Sequence, residues 1–226
     1  MSGNNYYLLA ALPGLGQLGD PLPITMGELI GKSEESSGCA EMLCALFLSD
    51  DLLVRQGFLS GEIETPQPIV LTELQVRNEA PLPEYLGIVD EKDATNPDHL
   101  WGSYYRYIFE LAERYSSQFL SEWVQYEVAL RNALAEARAK SLGLDPHNYL
   151  VATELADNFV DFTRLVNEWS GAADPLSGLR VLDQARYKWL VENDDWFSFS
   201  DDEIIAYGAK LLLMQRWQRL AENKES

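Results

Sequence analysis

The sequence is poor in the residues that most often build catalytic and metal-binding sites. It holds two cysteines and two histidines in 226 residues, which excludes a disulfide scaffold and a zinc site made of several Cys and His ligands. Basic residues are also scarce, because 17 lysines and arginines face 36 acids, for a net charge of −19. A surface with this much negative charge repels the phosphates of nucleic acids and the headgroups of anionic lipids. We therefore expect no nucleic-acid binding and no direct lipid binding.

Long apolar runs are missing as well. The run from Tyr6 to Leu12 is far shorter than the ~20 residues that cross a bilayer. The first basic residue is Lys32, so the uncharged start lacks the basic region of a signal peptide. These two absences predict a cytoplasmic protein.

Core-forming residues are plentiful, since 46% of the chain is hydrophobic and 11% is aromatic. The first 100 residues hold 8 of the 10 prolines and 10 of the 15 glycines, which predicts short elements joined by turns. We therefore expect a single all-α domain over residues 1–226, an elongated helical bundle. Its turn-rich, acidic part covers residues 1–95 and its long-helix part covers residues 96–226.

Two capping boxes predict helix starts in the first part. In each, a threonine is followed three residues later by Glu or Gln, whose side chain can return to the threonine backbone. They are Thr25 with Glu28 and Thr72 with Gln75.

Two further predictions lie between these boxes. The apolar run 39–48 favours a helix, and Ser49 is placed to cap a following helix that carries Leu52, Leu53 and Phe58. The short run 69–71 fits a strand, although periodicity does not decide so short a run.

The second part opens with a strong helix start. Asn96 suits an N-cap, Pro97 suits the first helical position, and Gly143 suits the C-terminal end. Apolar residues recur in steps of three or four between them. This pattern predicts one very long helix of roughly 69 Å, with a break at Ser116–Ser117 as the alternative.

Three more helices are expected before the C-terminus. One runs through Leu155 to Trp169, another through Leu179 to Trp189, and the last begins at Ser200 with a capping box completed by Glu203.

A literal GxGxxG stands at residues 14–19, after the strand-like run YYLLAALP. A dinucleotide fingerprint needs a helix to open at its third glycine. Here Asp20, Pro21 and Pro23 follow Gly19 and oppose such a helix. A glycine-rich surface turn is the better interpretation.

Other catalytic and metal-binding patterns are weak. Neither His99 nor His147 has a glutamate three residues before it, as carboxylate-bridged di-iron bundles require. We expect Cys39 and Cys44 to be small core residues. Adjacent acid pairs are expected by chance among 36 acids. We therefore assign no catalytic, cofactor-binding or metal-binding residue and expect no enzyme.

One helical stretch combines aromatic, ionic and amide side chains: Trp123, Tyr126, Glu127, Arg131 and Asn132. Glu127 and Arg131 are four residues apart, in the favourable order for a helix-surface ion pair worth a few tenths of a kcal/mol. The residues alone favour that pair beside a Trp that faces the core.

Several segments together resemble a bacterial family of small proteins related to the C subunit of V-type ATPases, the equivalent of the eukaryotic d subunit. The segments span nearly the whole chain: NYYLLAALPGL, DDLLVRQGFLSG, LPEYL, FLSEWVQYEVALRNALAEARAKSLG, DQARYKWLVEN and FSDDEIIAYGAKLLLMQRW. The most specific stretch holds Trp123, Glu127, Arg131 and Asn132. Full-length C subunits are considerably longer and have three similar helical lobes, so the resemblance implies either a reduced version or a relative with altered contacts.

The resemblance implies a non-catalytic rotor subunit of the central stalk, a socket that links the central shaft to the membrane rotor ring and transmits torque for ion transport. Such a protein is peripheral to the inner membrane through the ATPase complex. Its acidic surface suits basic partner surfaces. We expect partner contacts at Glu34, Glu35, Asp50 and Asp51 in the first part.

An alternative comes from a different class of protein. The segment Asn96–Leu100 is similar to a Pro-x-Asp-His motif of acidic, all-helical chaperones that mature redox enzymes. Such a chaperone binds a signal peptide through the region of His99, whereas a rotor subunit binds a folded shaft. A further helical adaptor of another kind also remains open.

Overall fold

The computed structural model describes residues 3–34, 37–87, 95–157, 159–194 and 196–225. Within these ranges all regular secondary structure is helical and there is no strand. The predicted all-α class is therefore confirmed. No helix in the described ranges is both long and apolar enough to cross a membrane.

The α-helices of the described residues are α1 (Gly3–Ala11), α2 (Met26–Ser33), α3 (Ser37–Leu59), α4 (Glu73–Val76), α5 (Pro97–Tyr115), α6 (Gln118–Ser141), α7 (Thr163–Ser170), α8 (Pro175–Glu192) and α9 (Asp201–Glu225). Short 3-10 helices span Glu84–Leu86, Pro146–Asn148 and Thr153–Leu155. Residues form two compact units, one of residues 1–81 with 187–226 and the other of residues 82–186. The change in composition at residue 95 thus falls inside the second unit.

The first unit is built around α3, against which α2 and α9 pack. Leu43 and Phe47 of α3 are fully buried. A Cβ atom at Gly208 of α9 would lie 2.6 Å from Leu43 Cδ2. Because Gly208 has no side chain, α9 can approach α3 closely.

Helix α3 is continuous from residue 37 to residue 59, so the predicted helix start at Ser49 is wrong. The Ser49 hydroxyl donates to the Leu46 carbonyl oxygen at 2.7 Å, the bond that a serine inside a helix makes with the preceding turn. The start of the chain is corrected too, because the strand-like run after residue 5 lies in α1.

Two side chains of α3 hold the segment 69–78. The Asp51 carboxylate accepts from the backbone N–H groups of Ile69, Val70 and Leu71 at 2.8, 2.6 and 2.7 Å. The segment 69–71 is therefore not the short strand that the sequence favours. One turn later, the Arg55 guanidinium donates to the carbonyl oxygens of Gln75 and Val76 at the end of α4.

The second unit contains the pair α5 and α6, which pack on each other. The chain breaks between them, because Ser116 adopts a left-handed conformation with φ 54° and the Ser117 side chain caps α6 by accepting from the Leu120 N–H at 3.1 Å. The single very long helix is wrong, and the break at Ser116–Ser117 is confirmed.

Local start and stop signals hold at four other places. Both capping boxes form as predicted, at Thr25 and at Thr72. Asn96 caps α5, and Gly143 follows α6 with φ 68°.

One predicted helix and one predicted cap need correction. The helix expected from Leu155 to Trp169 is reduced to α7, because residues 156–157 and 159–162 belong to no helix. The last helix begins at Asp201, directly after Ser200, the residue predicted to cap it. The Ser200 N–H donates to Ser198 Oγ at 3.3 Å instead of to Glu203, so the predicted capping box at Ser200 is wrong. The helix from Leu179 to Trp189 is confirmed within α8.

Candidate functional site

Five aromatic side chains of the first unit form an exposed cluster, here called the aromatic surface. It consists of Tyr6, Tyr7, Trp196, Phe197 and Phe199, which are between 38% and 76% exposed. Neighbouring rings touch, with centroids 5.1 Å apart for Tyr6 and Phe199 and 5.5 Å apart for Trp196 and Phe197. Contiguous apolar area of this kind marks an interaction site more often than scattered single side chains do.

Hydrogen bonds fix α1 and the following segment against the C-terminal helices of the same unit. Asn5 Nδ2 donates to Asp201 Oδ1 at 2.7 Å, which places Tyr6 beside Phe199. The Tyr207 hydroxyl donates to the Pro13 carbonyl oxygen at 2.9 Å. The position of the α1 rings is therefore set by side chains that lie almost 200 residues away in the sequence.

The GxGxxG segment takes part in the same anchoring. The Tyr187 hydroxyl donates to the carbonyl oxygen of Gly16 at 2.5 Å. The segment then turns, with the Asp20 N–H donating to the Gln17 carbonyl oxygen at 3.0 Å and Gly19 at φ 100°. This arrangement confirms the predicted glycine-rich turn.

The segment 196–199 is held in an unfavourable backbone conformation. Phe197 and Phe199 have φ values of 65° and 55°, the left-handed region that bulky side chains rarely occupy. Each costs about 1–2 kcal/mol. The Glu203 carboxylate maintains this conformation by accepting from the N–H groups of Phe197 and Phe199 at 3.2 and 2.9 Å.

Acidic residues surround the aromatic surface in the sequence. Residues 192–203 (ENDDWFSFSDDE) contain six acids and no base. Asp194 is neutralised by Lys210, with which it forms an almost buried ion pair. The first unit as a whole has 19 acidic and 8 basic residues, a net charge of −11. The exposed rings therefore stand in a negative electrostatic environment.

The stretch singled out in the sequence lies inside the second unit. Arg186 donates to both carboxylate oxygens of Glu127, at 2.7 and 3.2 Å, and to Asp183 at 3.0 Å. Glu127 and Arg186 are 16% and 14% exposed, and Asp183 is fully buried. The partner predicted for Glu127, Arg131, is replaced by Arg186.

Burial shifts the pKa values of the groups around this network. Burial lowers the pKa of Arg186, but Glu127 and Asp183 outweigh that effect and hold it above its usual range. Burial also raises the pKa of Tyr126 to about 12 and holds the pKa of Tyr105 above its usual range. These groups keep fixed charge states around neutral pH, as expected of a structural network.

Arg131 has different partners. Its guanidinium lies 5.0 Å from the ring centroid of Trp101 and 3.5 Å from Asp98 Oδ1. Trp123 is buried and its ring stacks on that of Tyr126 at 5.8 Å. The prediction of a Trp that faces the core is confirmed.

Asn132 is a second internal anchor. Its Nδ2 donates to the Val151 carbonyl oxygen at 2.9 Å, and its Oδ1 accepts from the Val151 N–H at 3.0 Å. The side-chain amide thereby satisfies both the N–H and the carbonyl oxygen of Val151, which lies after the 3-10 helix 146–148. All four residues of the most specific stretch are thus used in contacts within their own unit.

The acids predicted as partner contacts are placed in different ways. Glu34 is exposed, and Glu35 lies outside the described residues. Asp50 and Asp51 are buried, so their prediction as surface contacts is wrong. Asp50 pairs with Arg219 at 2.5 Å, and Asp51 binds the backbone of residues 69–71.

His99 of the alternative motif lines a cavity of about 380 Å³ in the second unit. Asp98, Ser103, Arg106 and Asn148 supply its other polar side chains. Within the part of the chain that the structure describes, no three His, Cys, Asp or Glu side chains are grouped to hold a metal ion.

A family model described as "Protein of unknown function (DUF2764)" matches residues 79–226. The chain belongs to the DUF2764 family. No curated protein and no solved structure matches it.

The DUF2764 match includes four of the elements described above: the ionic network at Arg186, the anchor Asn132, the cavity at His99 and the loop 196–199. Tyr6 and Tyr7 lie before the matched residues. Sequence reasoning missed the aromatic surface altogether. The signal that was available is the run WFSF between two acidic pairs, because three large rings in four residues suit neither a helix face nor an alternating strand.

Proposed function

We propose that this protein is a non-catalytic, all-helical adaptor that binds other proteins through the aromatic surface. More specifically, we propose that it serves as a central-stalk rotor subunit of a V-type ATPase and links the central shaft to the membrane rotor ring. The sequence resemblance supplies this specific assignment. The aromatic surface is the observation that carries the adaptor role.

The aromatic surface has an energetic cost as long as it is uncovered. Exposed rings gain nothing from the hydrophobic effect until they are covered, and two of them require backbone at positive φ. A surface that is unfavourable in isolation becomes favourable when a partner covers it, because apolar burial contributes about 25 cal/mol per Å². Aromatic residues are enriched at the centres of protein interfaces for this reason.

The remaining features suit a part that transmits force. Buried ionic and amide contacts join helices within each unit, and close-packed helical interiors resist deformation. The net charge of −19 favours encounter with basic partner surfaces and opposes direct contact with anionic lipid. The protein would accordingly be peripheral to the inner membrane through its protein partners.

The test is a calorimetric titration of the purified protein against the central-shaft subunits of the same organism, at low and moderate salt. We expect saturable one-to-one binding that weakens as salt rises, because complementary charge is screened. A matched titration against an unrelated basic protein controls for diffuse attraction. Absence of binding by a folded, helical sample would refute the rotor assignment.

The cavity at His99 favours one second candidate, the redox-enzyme maturation chaperone. Asp98 and His99 of the motif both line that cavity, where a peptide could meet them. Titration with signal peptides of redox enzymes tests this role. Binding lost in His99→Ala, together with no binding to shaft subunits, would favour the chaperone.

A further inference from the structure

We propose that the aromatic surface recognises a cationic segment of a partner protein, in which arginine or lysine side chains lie over the exposed rings. This inference takes the partner-binding role proposed above as its premise, but it does not depend on the identity of the rotary complex.

The electrostatics of the exposed rings favour a cation. The face of an aromatic ring is negative, and guanidinium or ammonium groups within about 6 Å of its centroid are attracted to it. Trp196, Phe197 and Phe199 stand between two acidic runs with no base among residues 192–203. Ring faces and carboxylates therefore favour the same ligand, a cation with an apolar stem.

Arginine side chains of the protein already contact its own aromatic rings. Arg131 lies over Trp101 and Arg77 lies 5.1 Å from the ring centroid of Phe58. In both contacts a ring of this chain already accepts a guanidinium of its own. The rings of the aromatic surface are large, exposed and in contact with one another, so they offer the same contact to a partner.

Hydrogen bonds hold the rings in position. The Glu203 carboxylate holds the N–H groups of Phe197 and Phe199, and Asn5 holds the start of α9 through Asp201. A surface ordered before binding loses less conformational entropy when a partner arrives. These contacts thus maintain the unfavourable φ values and keep the rings exposed.

Glycine substitutions give a sharp test, because glycine adopts positive φ without strain. Phe197→Gly and Phe197→Ala remove the same ring, but only alanine keeps the backbone strain. We expect Phe197→Gly to melt at a higher temperature than Phe197→Ala, as followed by far-UV circular dichroism. The glycine variants therefore remove rings from a protein that stays folded and keeps its net charge.

The probe is a synthetic peptide of Arg, Ala and Ser, and its control is the same peptide with citrulline at each Arg position. Each removed ring should weaken binding of the Arg peptide by about 2–5-fold, the range for exposed cation–π contacts. The combined variant Trp196→Ala, Phe197→Gly, Phe199→Gly should weaken it by roughly tenfold or more. The citrulline peptide should bind weakly to all of them.

Phe159→Ala is the matched control, because Phe159 is 99% exposed but belongs to the second unit. It should bind the Arg peptide as the unmodified protein does. Fluorine NMR of protein labelled with 5-fluorotryptophan localises the contact: of the six tryptophan signals, the one lost in Trp196→Ala should shift most. Binding that is unchanged in the combined variant, or equal for the citrulline peptide, would overturn the inference.

The same variants separate this inference from the rotor assignment. Ring-dependent binding of the Arg peptide with no binding to shaft subunits would support the cationic surface and refute the rotor role. Ring-independent peptide binding, with shaft subunits bound equally by the combined variant, would refute the cationic surface and leave the rotor role standing.

Discussion

Replacement of Glu127 by alanine separates two contacts that differ greatly in energy. A helix-surface pair between Glu127 and Arg131 would contribute about 0.3–0.5 kcal/mol. In the structure Glu127 instead accepts two hydrogen bonds from Arg186, at 2.7 and 3.2 Å, at a site where both side chains are less than one fifth exposed. The decrease in the free energy of unfolding therefore shows which arginine pairs with Glu127.

The expected magnitude follows from these contacts. Hydrogen bonds to charged groups contribute about 1.5–3 kcal/mol each, so loss of both would cost roughly 3–6 kcal/mol. Asp183 still pairs with Arg186 in the variant, which places the loss near the lower end. We expect Glu127→Ala to lower the free energy of unfolding by about 3 kcal/mol.

Urea unfolding followed by far-UV circular dichroism measures this loss. Arg131→Ala serves as the comparison and should cost about 1 kcal/mol, because its pair with Asp98 is partly exposed and its contact with Trp101 is worth about 0.5–1 kcal/mol. A double-mutant cycle should show strong coupling of Glu127 to Arg186 and almost none to Arg131. A Glu127→Ala loss below about 1 kcal/mol, coupled to Arg131, would refute the buried network.

Three further predictions concern the first unit. Asp51→Ala should lower the free energy of unfolding by about 3–5 kcal/mol in urea titrations, because three backbone N–H groups lose their acceptor; a loss below about 1 kcal/mol would contradict this role. Burial raises the pKa of the Cys39 thiol to about 12, so a disulfide exchange reagent at neutral pH should modify the half-buried Cys44 first; equal rates for single-cysteine variants would contradict this order. The pKa of Glu28 is lowered chiefly by the hydrogen bond from the Thr25 backbone N–H. The stability that Glu28 adds is therefore present above its unfolded-state pKa and lost as pH falls through the lowered pKa. The difference in melting temperature between Glu28→Ala and the unmodified protein should accordingly shrink on acidification; a difference that grows would contradict this.

Predictions succeeded where the determining contacts are local. A capping box such as that of Thr25 needs only residues three positions apart, and Asn96 and Gly143 likewise act within one helical turn. The sequence pattern carries all of that information. The same locality explains why the alternative, a break at Ser116–Ser117, held in place of the single long helix: two serines supply a left-handed residue and an N-cap in succession.

Predictions failed where the partner is distant in the chain. Asp50 is expected at a surface because an acid is costly to bury alone, but Arg219 pairs with it from 169 positions away. Glu127 likewise meets Arg186 across 59 positions. The predicted helix start at Ser49 failed for a different reason. A serine hydroxyl can cap a helix or bond to the turn before it, so the residue type alone does not decide between the two. Only packing decides between these alternatives.

The Asp51 carboxylate has one more consequence, for solvent exchange of the backbone. Residues 69–71 belong to no helix or strand, yet all three of their amides are bound to one carboxylate. In deuterium oxide these amides should retain protons as long as the interior of α3 does, because they are released only when the segment detaches from that helix. A protection map would show an isolated stretch of slow exchange outside any secondary structure, and Asp51→Ala should erase it.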